Sequence, residues 1–196
     1  MNEEKQNVNT EPVKEEKKAR YFTNKDIVRM AVMAAALFVV SCITVPIVLG
    51  IPFPGIRTLA CGLFFGVIIA LTYARVPKFG AGTVTTLICS LPMGFFSWII
   101  PVFTTAAGFC TDLYFLLVGK KLTVKTITGL GAVLMGTMMP IAAAMGAIFV
   151  PQTELTWADL FRNPLYLAIG FFGSLILGGL GSFLATKIFK ELKGYE

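Results

Sequence analysis

The feature that most constrains this chain is a succession of apolar segments, each long enough to cross a lipid bilayer. One helical crossing of the hydrocarbon core requires about 20 predominantly apolar residues. Six such segments follow one another with short connections, at roughly 23–49, 57–74, 79–100, 101–119, 126–150 and 165–188. They nearly exhaust the 196 residues, so we expect no separate soluble catalytic domain within them.

The composition agrees with a chain that is surrounded by lipid. Hydrophobic residues make up 56% of the sequence and charged residues only 14%, whereas soluble domains carry about 25% charged residues. A surface so poor in charge cannot be covered by polar groups in water. The sequence therefore predicts an all-α membrane protein, a bundle of six transmembrane helices.

The distribution of Lys and Arg predicts the orientation of this bundle. Loops on the translocated side of a membrane are poor in these residues. If the amino terminus lies inside, the outside loops hold only Arg57 and Arg162. The cytoplasmic segments then hold Lys17, Lys18, Arg20, Lys25, Arg29, Arg75, Lys78, Lys120, Lys121, Lys125, Lys187, Lys190 and Lys193. We therefore expect both termini in the cytoplasm.

The ends of the chain differ from its centre. Residues 1–24 mix charges and hold few large apolar side chains, a composition that cannot bury enough surface to fold. We expect them to be a disordered cytoplasmic tail, followed by the six-helix domain at 25–190 and a short cytoplasmic tail at 191–196. Thr23 or Asn24 is a candidate N-cap of the first helix, and Asp26 favours its positive end.

Several function classes are excluded by what the sequence lacks. The net charge of +6 is placed at helix ends and orients a membrane protein, so we expect no nucleic-acid partner. Histidine is absent, which excludes zinc sites of the HExxH type. The four cysteines lie singly in apolar segments and predict free thiols and no metal site. Without a GxSxG elbow or a phosphate loop, we expect no enzyme, no cofactor and no ATP-driven transport by this chain alone.

A stripe of small residues on the first helix is the first functional candidate. Ala31 and Ala35 lie on one helix face, and small residues allow another helix to approach closely. The stripe could dock a partner protein or could pack against a neighbouring helix of the same chain. The same alternatives apply to Gly62 with Gly66, and to the series Ser174, Gly178 and Ser182.

Asp112 is the second candidate because it is the only acid away from the ends of a predicted span. A carboxylate at that depth is usually paired or faces a cavity. Asp112 could bind a coupling ion or a proton. It could equally hydrogen-bond Thr111 or a helix terminus, or extend towards Lys120.

Polar and aromatic side chains in the outer halves of the spans could line a ligand pocket. Ligand sites are mostly apolar, with a few polar groups that fix orientation. We take Arg57, Trp98, Thr104, Asn163 and Tyr166 as candidate substrate-binding residues. Arg57 could pair with an anionic group of the substrate. The alternative role of Arg57 and Trp98 is anchoring at the membrane interface.

The sequence resembles the substrate-binding S components of energy-coupling factor (ECF) vitamin transporters, and more closely the Trep_Strep branch of membrane proteins assigned to that group. Four elements carry the resemblance, which covers about residues 22–190. They are Thr23-Asn-Lys-Asp26-Ile-Val before the Ala-rich first helix, the Ala31/Ala35 pattern, the basic turn Arg75-Val-Pro-Lys78-Phe-Gly-Ala81, and Gly108-Phe-Cys-Thr-Asp112-Leu in the fourth span.

The resemblance implies a six-helix bundle in a bacterial plasma membrane that binds a vitamin or related micronutrient at its outer face. Outer loops, here 50–56 and 151–164, would cap the substrate. Ala31 and Ala35 would become the face that docks on a T subunit, which is driven by two ATPase subunits. No ligand motif for a particular vitamin matches, so the substrate is open.

Three other classes of function are alternatives to a substrate-binding S component. A self-sufficient carrier or channel would use an ion gradient, with Asp112 as its coupling group, and would need no ATPase. An intramembrane enzyme is disfavoured by the absence of His and by the single buried acid. A membrane scaffold without a transport role is compatible with the sequence.

Overall fold

The computed structural model describes residues 22–48, 56–118, 122–149 and 163–188. These residues form six α-helices and one short 3-10 helix, with no strand among them. The helices are α1 (Asn24–Val48), α2 (Ile56–Arg75), α3 (Ala81–Ser90), α4 (Ile99–Leu117), α5 (Val124–Phe149) and α6 (Pro164–Ile188), with the 3-10 helix at Pro92–Phe95. The predicted all-α, six-helix architecture is confirmed.

Five of the six helices, namely α1, α2, α4, α5 and α6, are long and apolar enough to cross a membrane. The chain is therefore a multi-pass membrane protein. The helix α3 has only 10 residues, which is about 15 Å at 1.5 Å per residue. Pro92 ends it because proline has no N–H to continue the helical ladder. The predicted span 79–100 thus covers α3, the 3-10 helix and the turn that follows it, and its last two residues begin α4.

Polar contacts define one end of the bundle. Asp26 in the first turn of α1 forms an ion pair with Lys78 in the α2–α3 turn, at 2.7 Å. Tyr73 near the end of α2 donates a hydrogen bond of 2.5 Å to Asp112 on α4. The same carboxylate accepts from the backbone N–H of Gly82 at the start of α3. The starts of α1 and α3 and the later parts of α2 and α4 therefore meet at one end, called here the charged end.

The last two helices also run in opposite directions between the two ends of the bundle. Gly129 near the start of α5 lies against the Tyr114 ring of α4, which places the start of α5 at the charged end. Gly131, two residues further on, faces Ser182 near the end of α6. At the opposite end, Trp98 before α4 packs edge-on against Phe149, the last residue of α5, with ring centroids 5.0 Å apart. This opposite end is called the aromatic end.

Close packing of α2, α5 and α6 forms the centre of the bundle. A Cβ at Gly178 on α6 would overlap the carbonyl of Gly131 and lie 2.8 Å from the Met135 Cβ. Ser182 donates a hydrogen bond of 2.7 Å to the Gly66 carbonyl on α2. The small residues of α2 and α6 therefore serve internal packing, one of the two roles that the sequence left open.

Several predictions concern residues outside the described ranges. Residues 1–21 of the predicted tail 1–24, the carboxyl-terminal tail and most of the two expected capping loops, 50–56 and 151–164, belong to them. Of those loops, only Ile56, Asn163 and Pro164 are described, because they begin or precede helices. The predicted disorder and substrate capping therefore stay predictions.

Candidate functional site

The outward face of α1 has short side chains around Ala35, and Ile27, Ile43 and Ile47 are exposed elsewhere on the same helix. Val28, Val32 and Val39 are 62%, 57% and 54% exposed. Ala35 lies between them and is also exposed, and Ala31 is partly buried at the edge of the same face. The opposite face of α1, with Met30, Met33, Ala34, Leu37 and Ser41, is buried against α2 and α3. The sequence prediction that Ala31 and Ala35 share a face is therefore met, and Ala35 does not pack inside the bundle.

The outward face of α6 shows that small residues are not a general property of the lipid-facing surface. Large side chains project from this helix. They include Leu165, Ile169, Phe172, Ile176, Leu180 and Phe183, which are between 40% and 62% exposed. Lipid tails impose no need for small residues, whereas a second helix can approach closely only where side chains are short. The outward face of α1 therefore has the character of a helix-packing surface.

The start of α1 is fixed to the charged end by a reciprocal cap. The Asp26 N–H donates to the Thr23 hydroxyl at 3.3 Å, and the Thr23 N–H donates to the Asp26 carboxylate at 3.0 Å. This arrangement is a capping box with Asp as the acidic member. Thr23, one of the two predicted N-caps, fills that role.

Two further contacts join α1 to the basic turn. Asp26 also accepts from Lys78 Nζ at 2.7 Å, so one carboxylate serves both the cap and the turn. The Arg29 guanidinium donates to the carbonyl of Arg75, the last residue of α2, at 3.3 Å. A cation at the carboxyl end of a helix is favourable because that end carries partial negative charge. The first two turns of α1 are therefore fixed to the end of α2 and to the basic turn.

Asp112 is fully buried and its carboxylate accepts four hydrogen bonds. Oδ1 accepts from the Tyr73 hydroxyl at 2.5 Å and from the Gly82 N–H at 3.1 Å. Oδ2 accepts from the Thr83 N–H at 2.8 Å and from the Thr83 hydroxyl at 2.5 Å. A carboxylate has about four lone-pair sites, so the acceptor capacity of Asp112 is used within the protein.

These bonds make Asp112 the N-cap of α3, supplied by another helix. The N-cap position of α3 itself is Gly80, which has no side chain and adopts a left-handed conformation with φ of 94°. The first N–H groups of a helix need an acceptor and present partial positive charge. Asp112 provides both the acceptor and the opposite charge. Of the alternatives left open by the sequence, the structure shows the hydrogen bond to a helix terminus.

The cap is possible because α3 and α4 cross at two glycines. A Cβ at Gly108 on α4 would overlap the Thr86 hydroxyl and lie 2.9 Å from the Gly82 carbonyl. A Cβ at Gly82 would lie 2.7 Å from the Tyr73 hydroxyl and 3.0 Å from the Gly108 carbonyl. Only glycine at these positions lets the start of α3 approach Asp112 this closely.

The sequence indicated Asp112 but not its partners. Tyr73, Gly82 and Thr83 are unremarkable residues of apolar segments. One signal could have found them: a helix that begins after Gly80 has no side-chain cap of its own, so its first N–H groups must bond elsewhere.

The predicted substrate-binding residues lie at or towards the aromatic end. Trp98 is 56% exposed beside Phe149. The Thr104 hydroxyl is turned back onto its own helix and donates to the Ile100 carbonyl at 2.6 Å. The Asn163 side chain accepts from the N–H of Leu165 at 3.1 Å and so caps the start of α6.

The other two candidates belong to the same end of the bundle. Tyr166, in the first turn of α6, is 38% exposed. Arg57 is the second residue of α2, and its side chain is outside the described part of the structure. These positions are compatible with a site at the aromatic end, and the substrate-binding role of all five residues stays a prediction.

Comparison with known proteins adds no relative to this description. Searches against models of protein families, curated proteins and solved structures found no match.

Proposed function

We propose that this chain is the S component of an energy-coupling factor importer. In this proposal it captures a vitamin or related micronutrient at the aromatic end. It then docks through the outward face of α1 on a T subunit that works with two ATPase subunits. The observation that carries the proposal is the exposure of Ala35, beside Ala31, on a helix face made of short side chains.

The contrast between the exposed faces of α1 and α6 supports this docking role. Both helices expose one face. Around Ala35 the α1 face carries Val and Ala, with isoleucines exposed only further along the helix or at the edge of this face, whereas α6 exposes Phe, Leu and Ile along its length. Close helix approach depends on small residues because it is stabilised by van der Waals packing rather than by a hydrophobic effect. The face of α1 is suited to a partner helix, and the face of α6 to lipid.

The main alternative, a self-sufficient ion-coupled carrier or channel, is less well supported. This hypothesis assigns the coupling role to Asp112, the only acid away from the ends of a predicted span. That carboxylate already accepts four hydrogen bonds from Tyr73, Gly82 and Thr83. A coupling ion or proton would have to displace some of them and leave the start of α3 without its cap.

The proposed orientation places the charged end in the cytoplasm of a bacterial cell, with the protein in the plasma membrane. Six of the seven cations in the described ranges lie at that end, namely Lys25, Arg29, Arg75, Lys78, Lys125 and Lys187, and Arg57 lies at the other. Such residues are retained on the cytoplasmic side of membrane proteins. The aromatic end would then face outwards, where an importer must meet its substrate.

A matched pair of substitutions tests the docking role. Ala35→Trp fills the centre of the α1 face, and Ile176→Trp places the same side chain on the exposed face of α6. Each variant is reconstituted with the purified T subunit and its two ATPases. Ala35→Trp is expected to abolish complex formation and uptake, while ligand binding and the thermal midpoint in detergent are retained. Ile176→Trp is expected to behave as wild type.

The outcome that contradicts the proposal is equally specific. If Ala35→Trp still assembles with the module and supports uptake, the α1 face is not the docking surface. If both tryptophan variants lose uptake to the same extent, the effect is not specific to α1.

A further inference from the structure

The helices α2 and α6 are closest towards the charged end and separate towards the aromatic end. A Cβ at Gly66 on α2 would overlap the backbone carbonyl of Gly178 on α6. Nearer the aromatic end, a Cβ at Gly173 on α6 would meet only the Leu59 side chain, whose Cδ2 would lie 2.8 Å away. Contact between the two backbones thus gives way to contact through side chains.

The helices α5 and α6 separate in the same direction. A Cβ at Gly131 on α5 would overlap the Gly178 carbonyl, whereas one at Gly170, towards the aromatic end, would meet only the side chain of Met139. Met135, one turn before Met139, lies against Gly178. We name the region between α2, α5 and α6 on the aromatic side of Gly178 the methionine wedge, because Met135 and Met139 project into it from α5.

The apolar packing is interrupted inside the methionine wedge. Met135 belongs to the main hydrophobic core. Met139 instead packs with Ala143 and Leu167 in a small separate cluster. Methionine adapts readily to its surroundings because its unbranched chain has three rotatable bonds and a polarisable sulfur. The wedge is therefore lined by side chains that a bound molecule can displace.

Ser174 on α6 lies in the methionine wedge between the levels of the two methionines. Gly178, one turn after it, faces Met135, and Gly170, one turn before it, faces Met139. Residues one turn apart point to the same side of a helix, so the serine side chain points into the wedge. Ser174 is fully buried, and its hydroxyl has no hydrogen-bond partner among the described residues. Such a group loses its bonds to water without replacement, and it is uncommon in folded proteins.

Comparable hydroxyls elsewhere in the bundle are paired. Ser182, further along the same stripe of α6, donates to the Gly66 carbonyl where the helices are close. Thr104 and Thr111 each donate to a carbonyl of their own helix, which is the usual solution for a hydroxyl inside a helix. Ser174 has neither kind of bond, so its hydroxyl is available to another molecule.

Two other hydroxyls, those of Thr85 and Thr105, also lack a partner among the described residues. They belong to α3 and α4, outside the methionine wedge. Within the described part of the chain, an unpartnered hydroxyl and displaceable side chains therefore coincide at Ser174.

We propose that the methionine wedge binds an uncharged, largely apolar part of the captured molecule, with the Ser174 hydroxyl bonded to a polar atom of that part; this inference rests on the capture role proposed above. A serine hydroxyl both donates and accepts hydrogen bonds, so a ring or chain that carries a carbonyl, a hydroxyl or a ring nitrogen fits it. The residues that define the wedge carry no charge, and a charged group buried there would lack a partner.

The depth of Ser174 agrees with this division of the bound molecule. The helix α6 begins at Pro164 at the aromatic end, and Ser174 lies about 15 Å further along it at 1.5 Å per residue. A vitamin-sized molecule that reaches Ser174 can therefore keep a charged group near the aromatic end, where water is accessible.

The test uses N-ethylmaleimide, a flat neutral ring that carries carbonyl oxygens and reacts with thiols. Ser174→Cys exchanges an oxygen for a sulfur, and the full-length variant is treated in mild detergent. Peptide mass spectrometry measures modification at each cysteine separately, so the buried Cys61 and Cys89 remain as internal standards. Thr85→Cys is the matched control, because Thr85 is fully buried and its hydroxyl is unpartnered, but it lies outside the wedge.

We expect the new thiol of Ser174→Cys to react at least about tenfold faster than Cys61 and than the new thiol of Thr85→Cys, because access controls the reactivity of a buried thiol. A charged reagent, trimethylammonium-ethyl methanethiosulfonate, is expected to modify it no faster than it modifies Cys61. The small molecule that co-purifies with the wild-type protein is expected to slow its reaction with N-ethylmaleimide.

A second measurement needs no thiol. Ser174→Ala is expected to raise the Kd of the co-purified molecule about three- to tenfold, the effect of one lost hydrogen bond. Its thermal midpoint without that molecule is expected to be unchanged, because the hydroxyl makes no bond within the described structure. Thr85→Val is expected to leave the Kd as in wild type.

Two results would overturn the proposal. One is a thiol in Ser174→Cys that reacts no faster than Cys61. The other is an unchanged Kd in Ser174→Ala. Failure of the docking role would appear in Ala35→Trp and leaves both measurements intact. If no small molecule binds the wild-type protein, the capture role fails, whereas the maleimide rates still decide whether the wedge admits a neutral ring.

Discussion

The Tyr73 hydroxyl on α2 donates a hydrogen bond of 2.5 Å to the Asp112 carboxylate on α4, and this bond closes a polar network inside the membrane domain. The other donors to Asp112 come from the start of α3. Three helices are therefore joined at one carboxylate, which explains how an acid is tolerated at a fully buried position. The network accounts for Asp112 without a bound ion.

Removal of the Asp112 charge is expected to destabilise the fold. In Asp112→Asn one carboxylate oxygen becomes an NH2 group, so either the donors at Oδ1 or those at Oδ2 lose their acceptor. Each buried donor left without a partner costs about 1–3 kcal/mol. We expect a loss of at least this size in the apparent free energy of unfolding, measured by titration from mild detergent into sodium dodecyl sulfate.

The neighbouring Thr111 provides the control for this measurement. Its hydroxyl donates only to the Ala107 carbonyl of its own helix, at 2.9 Å, so Thr111→Val is expected to change stability by less than about 1 kcal/mol. An Asp112→Asn protein as stable as Thr111→Val would contradict the capping role. Loss of a sodium- or proton-dependent uptake in that stable variant would favour the carrier hypothesis.

Adjacent glycines on α6 are expected to respond in opposite ways to alanine. Gly178→Ala places a Cβ onto the Gly131 carbonyl, and overpacking of this kind costs about 1–3 kcal/mol. A Cβ at Gly179 would meet the Ala132 Cβ at 3.5 Å, an ordinary contact. Gly179→Ala is therefore expected to be neutral or stabilising by up to about 1 kcal/mol. Thermal midpoints of the two purified variants in one detergent give the comparison.

Equal midpoints for these two variants would show that α5 and α6 are not packed as closely at Gly178 as its contacts indicate. Because the substitutions are identical and adjacent, differences in expression, helix propensity and hydrophobicity are matched between them.

The ion pair between Asp26 and Lys78 is expected to contribute modestly to stability. The Lys78 side chain is 32% exposed and that of Asp26 is 11% exposed, so solvent screens the attraction. A double-mutant cycle with Asp26→Asn and Lys78→Met is expected to give a coupling energy of about 0.5–1 kcal/mol, smaller at high salt. Strict additivity of the two substitutions would mean that the basic turn is held by other contacts.

The proposed orientation can be tested with reporter fusions in a bacterial host. Exposed cations at the charged end predict a cytoplasmic carboxyl terminus. A fluorescent protein fused there is expected to fold and fluoresce, and alkaline phosphatase at the same point to be inactive. Alkaline phosphatase fused after Gln152, beyond α5, is expected to be active. The reverse pattern would place the charged end outside.

The positions of the helices follow from the sequence because long apolar runs and their charged ends are local signals. The helices α2 and α6 begin and end within a residue or two of the expected limits. The third span is the exception. Its apolar length suggested a full crossing, but Pro92 and the turn before Ile99 leave α3 with 10 residues. Proline marked the break, whereas the length of the helix before it could not be read from hydropathy.

The polar contacts between helices could be predicted only in part. Asp112 stood out because a single acid in an apolar segment is conspicuous, but its donors Tyr73 and Thr83 lie 39 and 29 residues away. Spacing along one helix identifies a shared face, as for Ala31 and Ala35. It does not give the rotation of that helix in the bundle, which decides whether the face is exposed or buried.

Ligand binding shows whether this chain captures a small molecule for a separate energising module. The protein is purified in detergent, and any co-purifying molecule is identified by native mass spectrometry. That molecule is then titrated against the variant Trp157→Phe, in which Trp98 is the sole tryptophan. Trp98 reports on the aromatic end because it packs on Phe149.

We expect a vitamin-sized ligand to bind at about one molecule per chain with nanomolar affinity, without ATP or an ion gradient, and to change the Trp98 emission. No saturable binding after a broad screen of vitamins and related micronutrients would contradict it. Binding that requires a sodium or proton gradient would also contradict it and would identify the chain as a carrier.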